Sequence, residues 1–105
     1  MPAPDQVIVN EYAPGQGIGA HTDDERRFGP CVVGVSLGSA CTLTLQHKAT
    51  HDIVAVTLPR RSAYKLEGNA RYAWTHAIPA RKSDAVDGKR TLRGTRISVT
   101  FRVKK

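Results

Sequence analysis

Short runs of strand-forming residues, with no convincing long helix among them, constrain the fold of this chain more than any other feature. Gln6–Tyr12 (QVIVNEY), Cys31–Leu37 (CVVGVSL), Cys41–Leu45 (CTLTL), Ile53–Leu58 (IVAVTL), Ser62–Leu66 (SAYKL) and Arg71–Ile78 (RYAWTHAI) read as strands. Thr95–Val103 (TRISVTFRV) alternates most cleanly. Gly, Pro, Asn and Asp clusters separate these runs, and there is no internal repeat or low-complexity segment. Several short strands at near-regular spacing predict a mainly all-β sandwich or barrel, of the double-stranded β-helix or jelly-roll type. The polar segment 79–94 reads as a long loop before the last strand. A chain of 105 residues is one domain, spanning 1–105.

His21-Thr22-Asp23 is a candidate metal-binding pair. In extended backbone, residues two apart share a side, so an imidazole and a carboxylate converge. His76 lies about fifty residues later in a strand pattern that a barrel can bring opposite them. Two histidines and one carboxylate form the facial triad of non-haem Fe(II) oxygenases, with coordination positions left open. Taken alone, the pair reads more readily as a loop histidine beside the acidic turn Asp23-Asp24-Glu25 than as a metal site. His47 and His51 bracket a strand connection and read as exposed loop residues. Gly15, Gly17 and Gly19 (GQGIG) precede no helix and no P-loop lysine, so they read as a flexible approach to His21.

The last strand sorts into two faces. Arg96, Ser98, Thr100 and Arg102 point one way; Ile97, Val99, Phe101 and Val103 point the other. Such a polar face suits a wet edge strand. Turned inward, it needs anions to pair with its guanidiniums, and a dicarboxylate supplies them bidentately. Asn10 and Tyr12 share one face of the first strand and are suitable donors to a carboxylate.

The net charge is +7, and residues 81–105 hold nine Lys or Arg against Asp84 and Asp87. The first eighty residues balance. A concentrated basic segment suits a polyanion such as nucleic acid, or is a solvated surface. Lys82, Lys89, Arg90 and Arg93 are candidate phosphate contacts, with Arg26, Arg27, Arg60 and Arg61 near connections. Trp74 is a candidate for stacking on a base, although a core role suits it better. No apolar run approaches the roughly 20 residues of a membrane helix, and Met1–Asp5 lacks a signal-peptide pattern. Cys31 and Cys41 sit in apolar stretches and read as buried reduced thiols. These features lead us to expect an intracellular protein, cytoplasmic, or nuclear in a eukaryote, with no membrane association.

Asn10-Glu11-Tyr12, His21-Thr22-Asp23, His76 and Arg96–Arg102 (RISVTFR) together resemble the AlkB family of 2-oxoglutarate dioxygenases, in the family's order and over nearly the whole chain. Val9–Ile18, Ser36–Ser39, Leu58–Ser62, Arg71–His76 and Arg93–Arg102 look most like the group that includes the wobble-uridine tRNA hydroxylase. The resemblance implies Fe(II) on His21, Asp23 and His76, with 2-oxoglutarate and O2 as co-reactants. It implies a salt bridge from Arg96 to the distal carboxylate of 2-oxoglutarate, with Asn10, Tyr12 and Ser98 nearby. Ser98 stands where the family often has Asn. Arg102 is expected near the metal-proximal carboxylate. The implied reaction hydroxylates or oxidatively dealkylates a modified base in RNA, tRNA or DNA. The same chemistry on a protein or small molecule, or an inactive basic binding module, are the competing readings. The chain starts almost at the first core strand, so an N-terminal nucleotide-recognition lid is expected to be absent.

Overall fold

The structure, a computed structural model, describes residues 2–105. Its strands are β1 (Gln6–Tyr12), β2 (Ile18–His21), β3 (Phe28–Gly38), β4 (Cys41–His47), β5 (Ile53–Leu58), β6 (Ser62–Glu67), β7 (Trp74–Ile78), β8 (Ser83–Val86), β9 (Lys89–Leu92) and β10 (Arg96–Lys104). One helical turn, α1 (Asn69–Tyr72), stands between β6 and β7. Two four-stranded sheets, ordered β1-β10-β3-β6 and β2-β7-β4-β5, pair antiparallel throughout and face each other as a jelly roll. β8 and β9 form a separate hairpin.

Cross-strand register decides which side chains share the interior. Across the first sheet the inward rungs are Gln6–Arg102–Val32–Leu66, then Ile8–Thr100–Gly34–Tyr64, then Asn10–Ser98–Ser36–Ser62. The second sheet answers with the small apolar cluster Cys41, Leu43, Leu58 and Ile78, against which Leu45 and Tyr64 pack. The interior is therefore half apolar and half polar, and the polar half is the inward row of β10.

Three parts of the sequence reading change. The pattern predicts a strand over Arg71–Ile78, but β7 begins only at Trp74 and Arg71 lies in α1. Gly68, at φ +57°, turns the chain out of β6 and starts that helical turn. The predicted loop 79–94 contains the β8–β9 hairpin, closed by Asp87 and Gly88, both at positive φ as a type I′ turn requires. All four β9 residues are exposed, so no apolar alternation marked the strand. Finally, the glycine-rich approach to His21 is itself β2 from Ile18 onward. A Cβ on Gly17 would lie 2.1 Å from the Ile78 carbonyl oxygen, so only glycine lets this backbone approach β7. Cys31 and Cys41 are buried free thiols.

Candidate active site

A register shift aims the first site residue. β2 pairs with β7 through Ile18↔Ile78 and His21↔His76, so one extra residue stands on the β2 side. Strict alternation from Ile18 would put Ala20 and Thr22 inward. The bulge shifts that phase, and both Ile18 and His21 face the cleft between the sheets. Asp23 follows two residues later on the same side.

The three side chains meet. Nε2 of His21 lies 3.4 Å, and Nε2 of His76 3.5 Å, from Oδ1 of Asp23. The imidazole centroids are 4.3 Å apart. One donor atom from each residue falls within 4.8 Å of the others, a spacing that a single ion can bridge. His21 Nδ1 lies 2.8 Å from the Gly19 carbonyl oxygen, to which it donates in the tautomer that leaves the Nε2 lone pair for a metal. Burial pushes the Asp23 carboxyl up, but hydrogen bonds from both imidazoles and the Arg102 charge outweigh it and hold the pKa far below the ordinary range. The same hydrogen bond to Asp23 raises His21 against the opposing effect of burial. A carboxylate kept charged between two imidazoles is a donor set with the chemistry for a divalent cation.

Arg102 sits behind Asp23. Its Nε is 2.9 Å from Asp23 Oδ2, yet the N–H is not aimed along that line and has no hydrogen-bond acceptor among the described residues. The guanidinium lies over the Phe28 ring, at 4.7 Å, and donates to Gln6 Oε1 at 3.3 Å. At the far end of the same inward row Arg96 is only 4% exposed. It donates through Nε to Ser36 Oγ (2.9 Å) and stands 5.5 Å from the Tyr12 ring centre. No carboxylate among the described residues pairs with it. A buried cation without an anion is unfavourable, so this geometry asks for an acidic ligand.

All eight residues picked from the sequence (Asn10, Tyr12, His21, Asp23, His76, Arg96, Ser98 and Arg102) line this one cleft. Its free space is about 60 Å³, room for roughly five waters, the scale of a small organic acid.

Other candidates lie elsewhere. His47 ends β4, where Nδ1 accepts the Ala49 and Thr50 N–H groups; His51 is an exposed turn residue. Trp74 is half-buried and meets the His47 ring edge-on at 5.0 Å. Arg93 is withdrawn from the candidate phosphate contacts. It is buried and gives Asp84 two hydrogen bonds, 2.6 Å and 2.9 Å long.

Two residues escaped the sequence reading. Arg71, 2% exposed, spends its guanidinium on the backbone carbonyls of Asp23 (2.7 Å), Gly29 (3.2 Å), Phe28 (3.4 Å) and Asp24 (3.5 Å). It thus clamps the turn that carries the Asp23 carboxylate. No periodicity announces such a role. Tyr64 reaches across β3 into the cleft above Gly34, where a Cβ would lie 2.2 Å from the ring. A glycine inside the strand pattern CVVGVSL was the available signal, because strand glycines mark close approach.

The comparisons agree with this geometry. The family model for the 2OG-Fe(II) oxygenase superfamily matches residues 2–102, and the chain belongs to that superfamily. Within it the chain is an AlkB-type dioxygenase. It is 43% identical over 100 residues to the uncharacterized protein L905 of Acanthamoeba polyphaga mimivirus, covering 94% of this chain and 48% of that protein. It is 42% identical over 115 residues to the tRNA (carboxymethyluridine(34)-5-O)-methyltransferase ALKBH8 of Macaca fascicularis, covering 94% of this chain and 17% of that one. The alkylated DNA repair protein ALKBH8 homolog of Arabidopsis thaliana is 34% identical, with 93% and 34% covered. The solved structure of OsALKBH1 shares the fold at a TM-score of 0.72 and 24% identity, over 95% of this chain and 50% of that one. The chain thus spans about half or less of the length of these relatives.

Proposed function

We propose that His21, Asp23 and His76 hold Fe(II), that 2-oxoglutarate lies along the inward row of β10, and that the oxidised substrate is a modified base in RNA. The observation that carries this reading is the buried, anion-free Arg96 facing the same cleft as the triad. Iron with 2-oxoglutarate and O2 supplies oxidation of a substrate C–H bond, with succinate and CO2 as co-products. The chain's own residues do the rest. Arg96 receives the distal carboxylate, with Tyr12, Asn10 and Ser98 beside it. Tyr64 offers a phenol that burial keeps protonated, hence a donor, in the middle of the row. Arg102 neutralises charge at the metal end, and its free Nε–H is available to the keto acid. The His21 bond to Gly19 and the Arg71 clamp fix two ligands in advance.

RNA is favoured by the relatives named for a tRNA base and by the chain's charge of +7. Hydroxylation at a carbon of the base leaves a stable alcohol; at a carbon attached to nitrogen it releases an aldehyde.

Anaerobic titration with Fe(II) and 2-oxoglutarate tests the ligand set. The wild type develops a visible charge-transfer band, and Asp23→Ala loses it. An unchanged band in the variant refutes the assignment. Succinate release stimulated by tRNA, and not by peptides or small acids, supports the substrate class; stimulation by peptides alone ends it.

A further inference from the structure

A second concave surface lies against the metal end of the cleft. Gln6, Arg26, Arg27, Phe28, Lys104 and Lys105 line a groove of about 280 Å³. Its two basic sides come from distant parts of the sequence. Arg26 and Arg27 belong to the turn after Asp23; Lys104 ends the strand that carries Arg102, and Lys105 follows it. The Lys105 N–H donates to the Arg27 carbonyl (2.9 Å), which ties the two sides together.

None of the four cations pairs with a carboxylate among the described residues. Neighbouring acids are engaged elsewhere: Asp24 takes the Arg26 N–H at 2.9 Å, Asp5 the Lys104 N–H at 2.7 Å, and Glu25 pairs with Lys48. Four unpaired cations around one groove attract a polyanion. The groove also shares its wall with the candidate active site, because Gln6 and Phe28 both touch Arg102, which touches Asp23. A strand held here would pass one residue layer from the metal centre. The β8–β9 hairpin, another basic feature, has less free charge. Asp84 occupies Arg81 and Arg93, and Asp87 sits at its tip.

We propose that this groove docks the sugar–phosphate backbone of single-stranded RNA. The proposal rests on the RNA reading above and names where the strand runs. A phosphate every nucleotide matches paired cations on both sides, and Lys and Arg contacts to phosphate make such binding salt-dependent.

The test is fluorescence anisotropy of a labelled 12-nucleotide single-stranded RNA, measured over a range of salt with no iron or 2-oxoglutarate added. Arg27→Gln/Lys104→Gln removes two groove charges; Lys89→Gln/Arg90→Gln removes two hairpin charges. The groove pair is expected to weaken binding by on the order of tenfold and to flatten the log–log salt slope by about 1.4, two contacts' worth for single strands. The hairpin pair should change binding less than threefold. Melting curves confirm that both variants fold, since all four side chains are exposed. Equal losses from the two pairs, no loss from the groove pair, or tighter binding of single-stranded DNA or polyglutamate than of RNA would overturn the proposal. Failure of the catalytic reading looks different: the groove pair loses RNA affinity while the wild type releases no succinate with any RNA.

Discussion

Arg71 shows how much one side chain can do without touching a substrate. A guanidinium 2% exposed would ordinarily need a carboxylate; here four backbone carbonyls replace it. Removing it orphans those carbonyls, so Arg71→Met is expected to cost about 3 kcal/mol or more, seen as a fall of roughly 15 °C in Tm. Metal affinity should fall as well, because Asp23 is no longer held; a variant that melts lower but binds Co(II) as tightly would show the clamp to be structural only. Gly34 and Tyr64 act as a pair. Gly34→Ala drives a Cβ into the phenol ring and should destabilise the fold, while Tyr64→Phe keeps the shape and removes one donor. The second change should weaken 2-oxoglutarate binding severalfold, since one hydrogen bond is worth about 1 kcal/mol, and leave metal affinity unchanged; isothermal titration separates the two. Side chains whose chemistry repeats with strand period, such as Arg96, Ser98 and Arg102, were legible in the sequence. Arg71 was not, because its partners are backbone atoms and carry no residue code.

At the level of elements, the sequence shows strands where apolar and β-branched residues recur and hides them where the run is mostly polar. β1 and β5 have the limits their patterns predict, whereas β8 and β9 lack any apolar alternation. The bulge that turns His21 inward is equally hidden, because only the pairing partner reveals the extra residue. What holds the hairpin is charge. Asp84 is buried, and burial pushes its carboxyl up. The Arg93 and Arg81 hydrogen bonds outweigh that and bring it down to about 2, from an ordinary 3.8. A lowered pKa contributes stability that is present above pH 3.8 and lost as pH falls toward 2. Asp84→Asn should therefore destabilise the wild type most near neutrality. The gap between the two proteins should close between about pH 4 and pH 2, by about 2 kcal/mol. Amide exchange across 83–92 at several pH values reads this directly; a gap that is constant with pH would show that the Asp84 charge contributes nothing.

The whole molecule is a jelly roll whose interior is half given over to polar and charged groups. Its buried apolar cluster is small, and Val7, Val9, Leu37 and Ile97 stay exposed on the outer face of the first sheet. The polar cleft is part of why. Among the described residues the buried Arg96 has one neutral hydrogen bond and no anion, a placement expected to lower the stability of the ligand-free chain. Replacing it by a residue of similar length and no charge removes that cost. Arg96→Met is therefore expected to melt higher than the wild type when both are free of ligand. With Mn(II) and 2-oxoglutarate the order reverses. Ligand that binds only the folded state at a hundred times its Kd adds about 2.7 kcal/mol, more than 10 °C in Tm for a domain of this size. The wild type gains the full shift and the variant only the part that Mn(II) alone supplies, because the anion has lost its anchor. Differential scanning fluorimetry on the four samples decides it. An Arg96→Met protein less stable than the wild type without ligand would mean that the guanidinium is already satisfied inside the chain, and the site would lose its physical reason to recruit a dicarboxylate.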